Sequence, residues 1–242
     1  MLYAKTKGNV RPRDVIEAVC STTSEASVKF GIEVRIILCT ISLLPEWSME
    51  VAKMCKEYSS MGVVGIDIAG EGTEPGNLVQ QRHIDAYQFC RDHNIHRTAH
   101  AGENGSAEEV EQAMQILNAQ RIGHGYHVVD SESVYNEAKA RDVHFEVCPR
   151  SSYLTASVDP DLTKHPAIRF LKDKVNFSLS TDDPAIQQTT IYDDYNIAQK
   201  YFGFSIEDIK LLNILALKSA FVEESVKNEL IRKFETEYAK IT

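Results

Sequence analysis

Two side chains that suit hydrolytic chemistry stand three residues apart in the motif His100-Ala-Gly-Glu103. In an extended strand, residues three apart face opposite sides, but Gly102 lets the backbone turn so that the imidazole and the carboxylate can converge. A metal ligand beside a general acid or base is one interpretation of the pair. The other is a loop whose Glu103 begins the first turn of a helix, where its charge suits the helix dipole.

Two more polar motifs are equally ambiguous when each is considered alone. His124 lies between two glycines, which admit a ligand close to the backbone but also simply mark a turn. Asp182 and Asp183 are adjacent carboxylates, whose repulsion is relieved if a cation binds one and a hydrogen-bond donor the other. However, Asp-Asp-Pro is also a good turn and helix N-cap.

Four other residues have a structural alternative to a functional role. Gly70 could bring a backbone amide against a planar ligand, or it could form a tight turn. Asp67 is expected to be a buried carboxylate with satisfied hydrogen bonds, and His127 to pack or hydrogen-bond locally. Cys148 lies in an apolar run with no partner base at short range, so we expect it in the core and not as a nucleophile.

Six short runs are apolar on both sides of the pleat, as expected for strands that are buried on both faces. They are Val34–Ile41, Val63–Ala69, Arg97–Ala101, Arg121–His124, Val143–Cys148 and Val175–Leu179. Segments of helical periodicity follow them, among them Ser48–Tyr58 and the helices opened by Ser106-Ala-Glu-Glu109 and Ser205-Ile-Glu-Asp208. Strand ends recur roughly every 25–30 residues, which suits a β/α crossover unit.

The polar motifs distinguish between two parallel-sheet architectures. A doubly wound sheet concentrates such residues at one switch point, whereas a (β/α)8 barrel carries them at the carboxyl ends of many strands. Here they follow five strands, at Gly70-Glu71, His100–Glu103, His124, Pro149–Ser152 and Asp182-Asp183. The sequence therefore predicts an α/β protein of the (β/α)8 TIM-barrel type, with about six of the eight strand-helix units. Because no low-complexity linker divides residues 1–242, we expect one domain.

The composition narrows the class of protein. The chain has 242 residues, of which 43% are hydrophobic, so it can bury one sizeable core. A formal charge of -9 argues against a nucleic-acid partner. Five widely spaced cysteines without a C-x-x-C motif indicate a reducing compartment. No apolar run suits a transmembrane segment and the N-terminus lacks a signal-peptide pattern, so we expect a cytoplasmic location.

Taken together, the motifs resemble the amidohydrolase superfamily, and the adenosine deaminase family most closely. The resembling segments are IDIAGE, HRTAHAGENGSAEEV, RIGHGYH, HFEVCPRSSYLT and NFSLSTDDPAI, which span almost the whole chain in family order. AMP deaminases and secreted growth-factor-like deaminases share Thr-Asp-Asp-Pro but vary the rest. Cytidine deaminases are unrelated in fold, and their H-x-E and P-C-x-x-C signature is absent here.

The resemblance implies a role for each matching residue. His100 and Asp182 would be zinc ligands, and Asp182 would also hold the attacking water. Glu103, in place of exposed carboxylates such as Glu108 or Glu109, would protonate the purine ring nitrogen beside the reacting carbon. His124 would orient or deprotonate the water.

The same resemblance implies the substrate and the reaction. Asp183 and the Gly70 amide would hydrogen-bond to other purine nitrogens. The reaction would be hydrolytic deamination of adenosine, and of 2'-deoxyadenosine, to inosine and ammonia in purine salvage. The partner is then a small-molecule purine nucleoside, and the sequence carries no signal for a protein partner.

One part of the family pattern is missing. The family supplies two further ligands to its one zinc ion from a His-x-His pair at the end of the first strand. The eight histidines here are at positions 83, 93, 96, 100, 124, 127, 144 and 165. Because Met1-Leu-Tyr-Ala matches the segment after the family's second strand, we expect an incomplete barrel that lacks two strands and a helical lid segment.

Three alternatives stay open. The chain could be an amidohydrolase that acts on a related purine such as AMP or adenine. It could be a truncated, non-catalytic form that binds partners or regulates the complete protein. A phosphate-binding isomerase barrel is disfavoured, because no glycine-rich phosphate loop precedes a late helix.

Overall fold

The computed structural model describes residues 10–70 and 80–240. Two segments used in the sequence predictions, Met1-Leu-Tyr-Ala and Glu71, lie outside them. The described residues form two compact units, Met1–His100 with Glu111–Gln120 and Ala101–Val110 with Arg121–Thr242. The single domain expected for residues 1–242 stays a prediction.

In the first unit, parallel strands alternate with helices. Its elements are α1 (Pro12–Phe30), β1 (Ile36–Ile41), α2 (Ser48–Glu57), β2 (Val63–Ala69), α3 (Gln81–Asp92) and β3 (His96–Ala101). The last residue of β3, Ala101, already belongs to the second unit. β1 pairs with β2, and β2 with β3, both in parallel. α2 packs on β1, β2 and α3 with its predicted apolar stripe, in which Val51 and Met54 are buried.

The second unit continues the alternation. Helix α4 (Ala107–Gln115) crosses the boundary, and β4 (Arg121–His124), α5 (Glu132–Ala140), β5 (His144–Val147), α6 (Pro149–Leu154), α7 (Pro166–Lys172), β6 (Phe177–Leu179), α8 (Pro184–Gln187), α9 (Ile191–Ile197), α10 (Ile206–Ser219) and α11 (Glu224–Tyr238) follow. β5 pairs in parallel with β4 and with β6. The core beside these strands is aromatic, because the ring of Phe170 contacts those of Tyr135, Phe145 and Phe177.

The same turn precedes every strand. A residue with positive φ lies shortly before each of the six strands, and these residues are Gly31, Gly62, Asn94, Asn118, Asp142 and Lys174. A left-handed residue at a helix end lets the terminal carbonyls find hydrogen-bond donors and turns the chain toward the next element. The chain is therefore a series of like strand-helix units.

These elements confirm the predicted fold class, α/β of the (β/α)8 type, with six strand-helix units. Four predicted strand starts are wrong by one or two residues, namely Val34, Arg97, Val143 and Val175. The amides of Val143 and Val175 donate to Ala138 O (3.1 Å) and Phe170 O (2.9 Å), five residues back, so these two residues still belong to the preceding helix ends. The late helix predicted to open at Ser205-Ile-Glu-Asp208 is present, with Ser205 as its N-cap, and Ser205 Oγ accepts from the Asp208 amide at 3.1 Å.

Two expectations from the composition can be compared with the structure. All five cysteines are buried free thiols. Within residues 10–70 and 80–240, no helix is both long enough and apolar enough to cross a membrane.

Candidate active site

The carboxyl ends of β3 and β4 meet in the second unit. The Gly125 amide donates to Ala101 O at 3.1 Å, and the His127 amide donates to Gly102 O at 3.0 Å. Gly102 has φ +63°, so the predicted backbone turn after β3 is present. This turn places Glu103, just after β3, close to His124 at the end of β4.

Glu103 and His124 form the centre of this cluster. Glu103 Oε2 lies 3.5 Å from His124 Nε2, and the imidazole is almost fully buried, with 3% of its side chain exposed. The carboxylate is more accessible, at 26% exposed. A buried imidazole beside a reachable carboxylate is an arrangement that can move protons to and from a bound molecule.

The backbone at His124 is strained. His124 has φ +64° and Gly125 has φ +71°, and a non-glycine residue in this region is uncommon outside turns and functional sites. The Tyr126 hydroxyl lies 3.3 Å from His124 Nδ1 and accepts the Cys148 amide at 3.0 Å. The strained position of the imidazole is thus stabilised from its Nδ1 side.

The Gly125 position leads to a prediction about stability. A Cβ at Gly125 would lie 2.2 Å from the Phe145 ring, whereas one at Gly203, which has a similar φ of +73°, would meet nothing within 4 Å. Gly203→Ala should therefore cost only the left-handed backbone strain, about 1 kcal/mol. Gly125→Ala should cost about 2–4 kcal/mol, because overpacking adds to that strain. Equal unfolding free energies for the two variants in denaturant titrations would contradict this.

Asp182 follows β6 and also has positive φ, at +59°. Its Oδ2 accepts a hydrogen bond of 2.6 Å from Ser151 Oγ and a long one of 3.5 Å from Gln187 Nε2. A ring nitrogen of His124 and a carboxylate oxygen of Asp182 lie within 4.8 Å of each other. Two ligands of one tetrahedral zinc ion lie roughly 3.3 Å apart, given bonds of about 2.0–2.2 Å. An imidazole nitrogen and a carboxylate oxygen are both donor types that zinc binds, so the chemistry of this pair fits the ion.

Asp183 is the next residue along the chain. It is exposed and is the N-cap of α8, but its side chain makes no cap hydrogen bond. The alternative in which this carboxylate serves as a helix cap is therefore not supported, and it is accessible to a bound molecule.

The first unit holds His100 and Gly70. His100 Nδ1 lies 3.2 Å from Asp67 Oδ1, which also accepts the Ile68 amide at 2.8 Å. Burial raises the pKa of Asp67, but His100, the Ile68 amide and the Cys39 thiol lower it, and the pKa lies below its ordinary value. The geometry suits an Nδ1–H that donates to Asp67, a pairing that assigns Nε2 as the basic nitrogen. Gly70, which directly follows β2, has φ +104°, a backbone conformation that favours glycine.

Three structural interpretations of the sequence are confirmed. Asp67 is buried and hydrogen-bonded. His127 hydrogen-bonds locally, with Nδ1 2.8 Å from Asp130 Oδ2. Cys148 is buried, as expected of a core residue, and burial raises the pKa of its thiol.

One expectation was wrong. Glu109, taken for an exposed carboxylate like Glu108, is buried. Its carboxylate occupies the space where a side chain on Gly105 would lie, which only glycine leaves open. Glu108 is exposed as expected.

Two buried residues, Ser151 beside Asp182 and Asp194 beside the start of α6, were not given a role from the sequence. Ser151 was part of a motif noted after β5, but nothing indicated that it contacts Asp182. Asp194, on α9, is fully buried and its Oδ1 accepts the Arg150 amide at the start of α6, at 2.8 Å. Its only local signal is a carboxylate within a helix, which is typical of an exposed face.

Asp194 leads to a prediction about pH. Burial raises its pKa from 3.8 to about 6. A raised pKa in the folded state stabilises the protein below pH 4, and this contribution is lost as pH rises to 6. The unfolding free energy of the wild type should fall between pH 4 and 6, relative to Asp194→Asn, by roughly 1–3 kcal/mol.

The control for this pH prediction is Asp193→Asn. The pKa of Asp193 is lowered by its hydrogen bond with Thr190, and its charge is only a minor cause of the raised pKa of Asp194, so this variant should change the pH window much less than Asp194→Asn does. Parallel curves for wild type and Asp194→Asn would contradict the prediction.

The fold agrees with comparisons to known protein structures. An adenine deaminase from Arthrobacter aurescens superimposes with a TM-score of 0.85, at 24% identity over 96% of this chain and 69% of its own. An amidohydrolase from Burkholderia ambifaria, solved with bound Zn, gives 0.85 at 25% identity over 94% and 63%. The fold is thus that of amidohydrolase-type deaminases.

Sequence comparison defines the family. The family model described as adenosine deaminase matches residues 2–237. The mouse adenosine deaminase is 45% identical over 238 residues, which are 98% of this chain and 67% of the relative. The chain belongs to the adenosine deaminase family. It spans about two thirds of the length of the curated relatives that it matches.

Proposed function

We propose that this protein hydrolyses adenosine, and 2'-deoxyadenosine, to inosine or its deoxy form with release of ammonia. The observation that carries the proposal is the cluster of Glu103, His124 and Asp182 in the second unit, in a chain of the adenosine deaminase family. The relatives are named adenosine deaminases, and the substrate class is taken from them. A role in purine salvage in the cytoplasm belongs to the same proposal.

We propose one zinc ion per chain, with His100 and Asp182 as ligands and two further histidine ligands outside this sequence. His100 lies near the carboxyl end of β3, and strand ends are where folds of this type carry reactive groups. The Asp67 contact orients its ring for ligation, as carboxylates commonly do for metal-binding histidines. Zinc would supply Lewis acidity, which makes a water molecule nucleophilic at neutral pH.

The protein's own groups would then handle the protons. His124 accepts a proton from the attacking water, and its Nδ1 side is held by Tyr126. Glu103 donates a proton to the ring nitrogen beside the reacting carbon, which lets that carbon accept the nucleophile. Asp183 and the Gly70 amide hydrogen-bond to other ring nitrogens and fix the orientation of the purine.

The test is ammonia release from adenosine, AMP and adenine, assayed in parallel with zinc-loaded protein, either this chain or a longer product that contains it. The proposal expects adenosine to have the highest kcat/KM. A preference for AMP or adenine would indicate that the chain is a deaminase of a related purine. The structural neighbour from Arthrobacter aurescens is named an adenine deaminase. No ammonia from any of the three would favour a non-catalytic role for this chain.

A further inference from the structure

One carboxylate oxygen of Asp182 is held from the protein side. Oδ2 accepts the short hydrogen bond from Ser151 Oγ, 2.6 Å, and the longer one from Gln187 Nε2, 3.5 Å. A carboxylate oxygen that accepts two donors has less lone-pair density to offer an incoming cation. Oδ1 is therefore the oxygen that remains better suited to bind one.

Ser151 itself is rigidly placed. It is fully buried on α6, a helix of only six residues that is fixed at both ends of its first turn. The Arg150 amide donates to the buried Asp194 carboxylate at 2.8 Å, and the Ser152 amide donates to Cys148 O at 2.9 Å. A hydroxyl on such a short, fixed helix cannot follow Asp182 if the carboxylate rotates away.

The backbone gives Asp182 a reason to need this support. Its φ of +59° lies in the left-handed region, where an L residue is held only by its surroundings. The next residue, Asp183, is exposed. Among residues 80–240, the structure shows hydrogen bonds to the Asp182 side chain from Ser151 and Gln187 but none from Asp183. The Ser151 hydroxyl is thus the shortest contact that selects one orientation of the Asp182 carboxylate.

We propose that Ser151 is a positioning residue, which orients Asp182 so that Oδ1 faces the metal. The inference rests on the proposed zinc site, and it assigns to Ser151 no contact with substrate. Partners in the outer coordination shell that orient a ligand typically change metal affinity by about 10–100-fold when they are removed. Because the Ser151 hydroxyl is neutral, its removal leaves unchanged the charge of Asp182 that attracts the cation.

The test compares three variants, made in this chain or in a longer product that contains it, by competitive zinc titration against a chromophoric chelator. Ser151→Ala should weaken zinc binding about 10-fold or more. Gln187→Ala removes the longer contact and should have a smaller effect. Ser152→Ala is the matched control, because it deletes a buried hydroxyl on the same helix that contacts Pro149 O and His165 but not Asp182. Equal losses of affinity for Ser151→Ala and Ser152→Ala would overturn the proposal, since they would reflect general loosening of α6.

A second measurement needs no metal. In crystal structures of the metal-free protein, the Asp182 side chain should keep one orientation in the wild type and in Ser152→Ala. It should become disordered or change rotamer in Ser151→Ala. An unchanged Asp182 in Ser151→Ala would overturn the proposal. A wild-type chain that binds no zinc, with Asp182 displaced in Ser151→Ala, would instead contradict the proposed zinc site and leave the positioning role standing.

Discussion

Replacing Glu103 with glutamine should lower the turnover of adenosine by at least about 100-fold, which is the low end for removal of a general acid. Glutamine keeps the size and the hydrogen-bonding shape of the side chain but cannot deliver a proton to the ring nitrogen. The measurement is kcat and KM in any form of the enzyme that is active, either this chain or a longer product that contains it. KM should change much less than kcat, because the lost interaction belongs to the transition state.

The control for this prediction is Glu108→Gln. Glu108 lies five residues further along the chain and is exposed, so its neutralisation should leave kcat within about twofold, as expected for a surface change. Glu109 is a poor control because it is buried against Gly105. A near-normal rate for Glu103→Gln would remove Glu103 from the mechanism, whatever its distance from His124.

The second large effect concerns the 242-residue chain expressed by itself. We expect it to bind zinc weakly and to deaminate adenosine poorly or not at all. A catalytic zinc ion typically has three protein ligands and a water molecule, and the proposed set within this sequence is His100 and Asp182. His124 is near enough to Asp182 to serve as a third ligand, but it would then be lost as a base.

The strands support the same expectation. Among the described residues, β1 pairs only with β2, and β6 only with β5. Both are apolar, and such edges pair readily with other chains. The measurements are oligomer size, zinc affinity and adenosine turnover of the purified chain. A monodisperse monomer with one tightly bound zinc ion, and a turnover like that of the mouse relative, would contradict the prediction.

The sequence predicted the strands from their apolar, β-branched character, and two of six, β2 and β4, match residue for residue. It placed Val143 and Val175 in strands because valine favours them, whereas each amide is still bound to the preceding helix. That bond depends on the left-handed Asp142 and Lys174, and neither residue is a strong signal for such a turn. The predicted starts of β5 and β6 were therefore wrong because the turn geometry at the helix end outweighed the strand propensity of valine.

The candidate site was likewise predictable from the sequence only in part. His124, Glu103 and Asp182 were recognisable because each follows a strand, and strand ends are where such folds carry reactive groups. Ser151 also follows a strand, but its contact with Asp182 joins residues 31 positions apart. No local pattern indicates which serine of the Ser151-Ser152 pair will face the carboxylate. Helix packing in three dimensions decides it.

The most direct test of the account is an anomalous difference map, recorded at the zinc absorption edge from crystals of this chain soaked in excess zinc. The account predicts one main peak, at about 2.0–2.2 Å from a His100 nitrogen and an Asp182 oxygen. His124 and Glu103 should lie around the same peak, within reach of a water molecule beside it. A main peak elsewhere, or His100 and Asp182 too far apart to share one ion, would contradict the proposed site and with it the proposed mechanism.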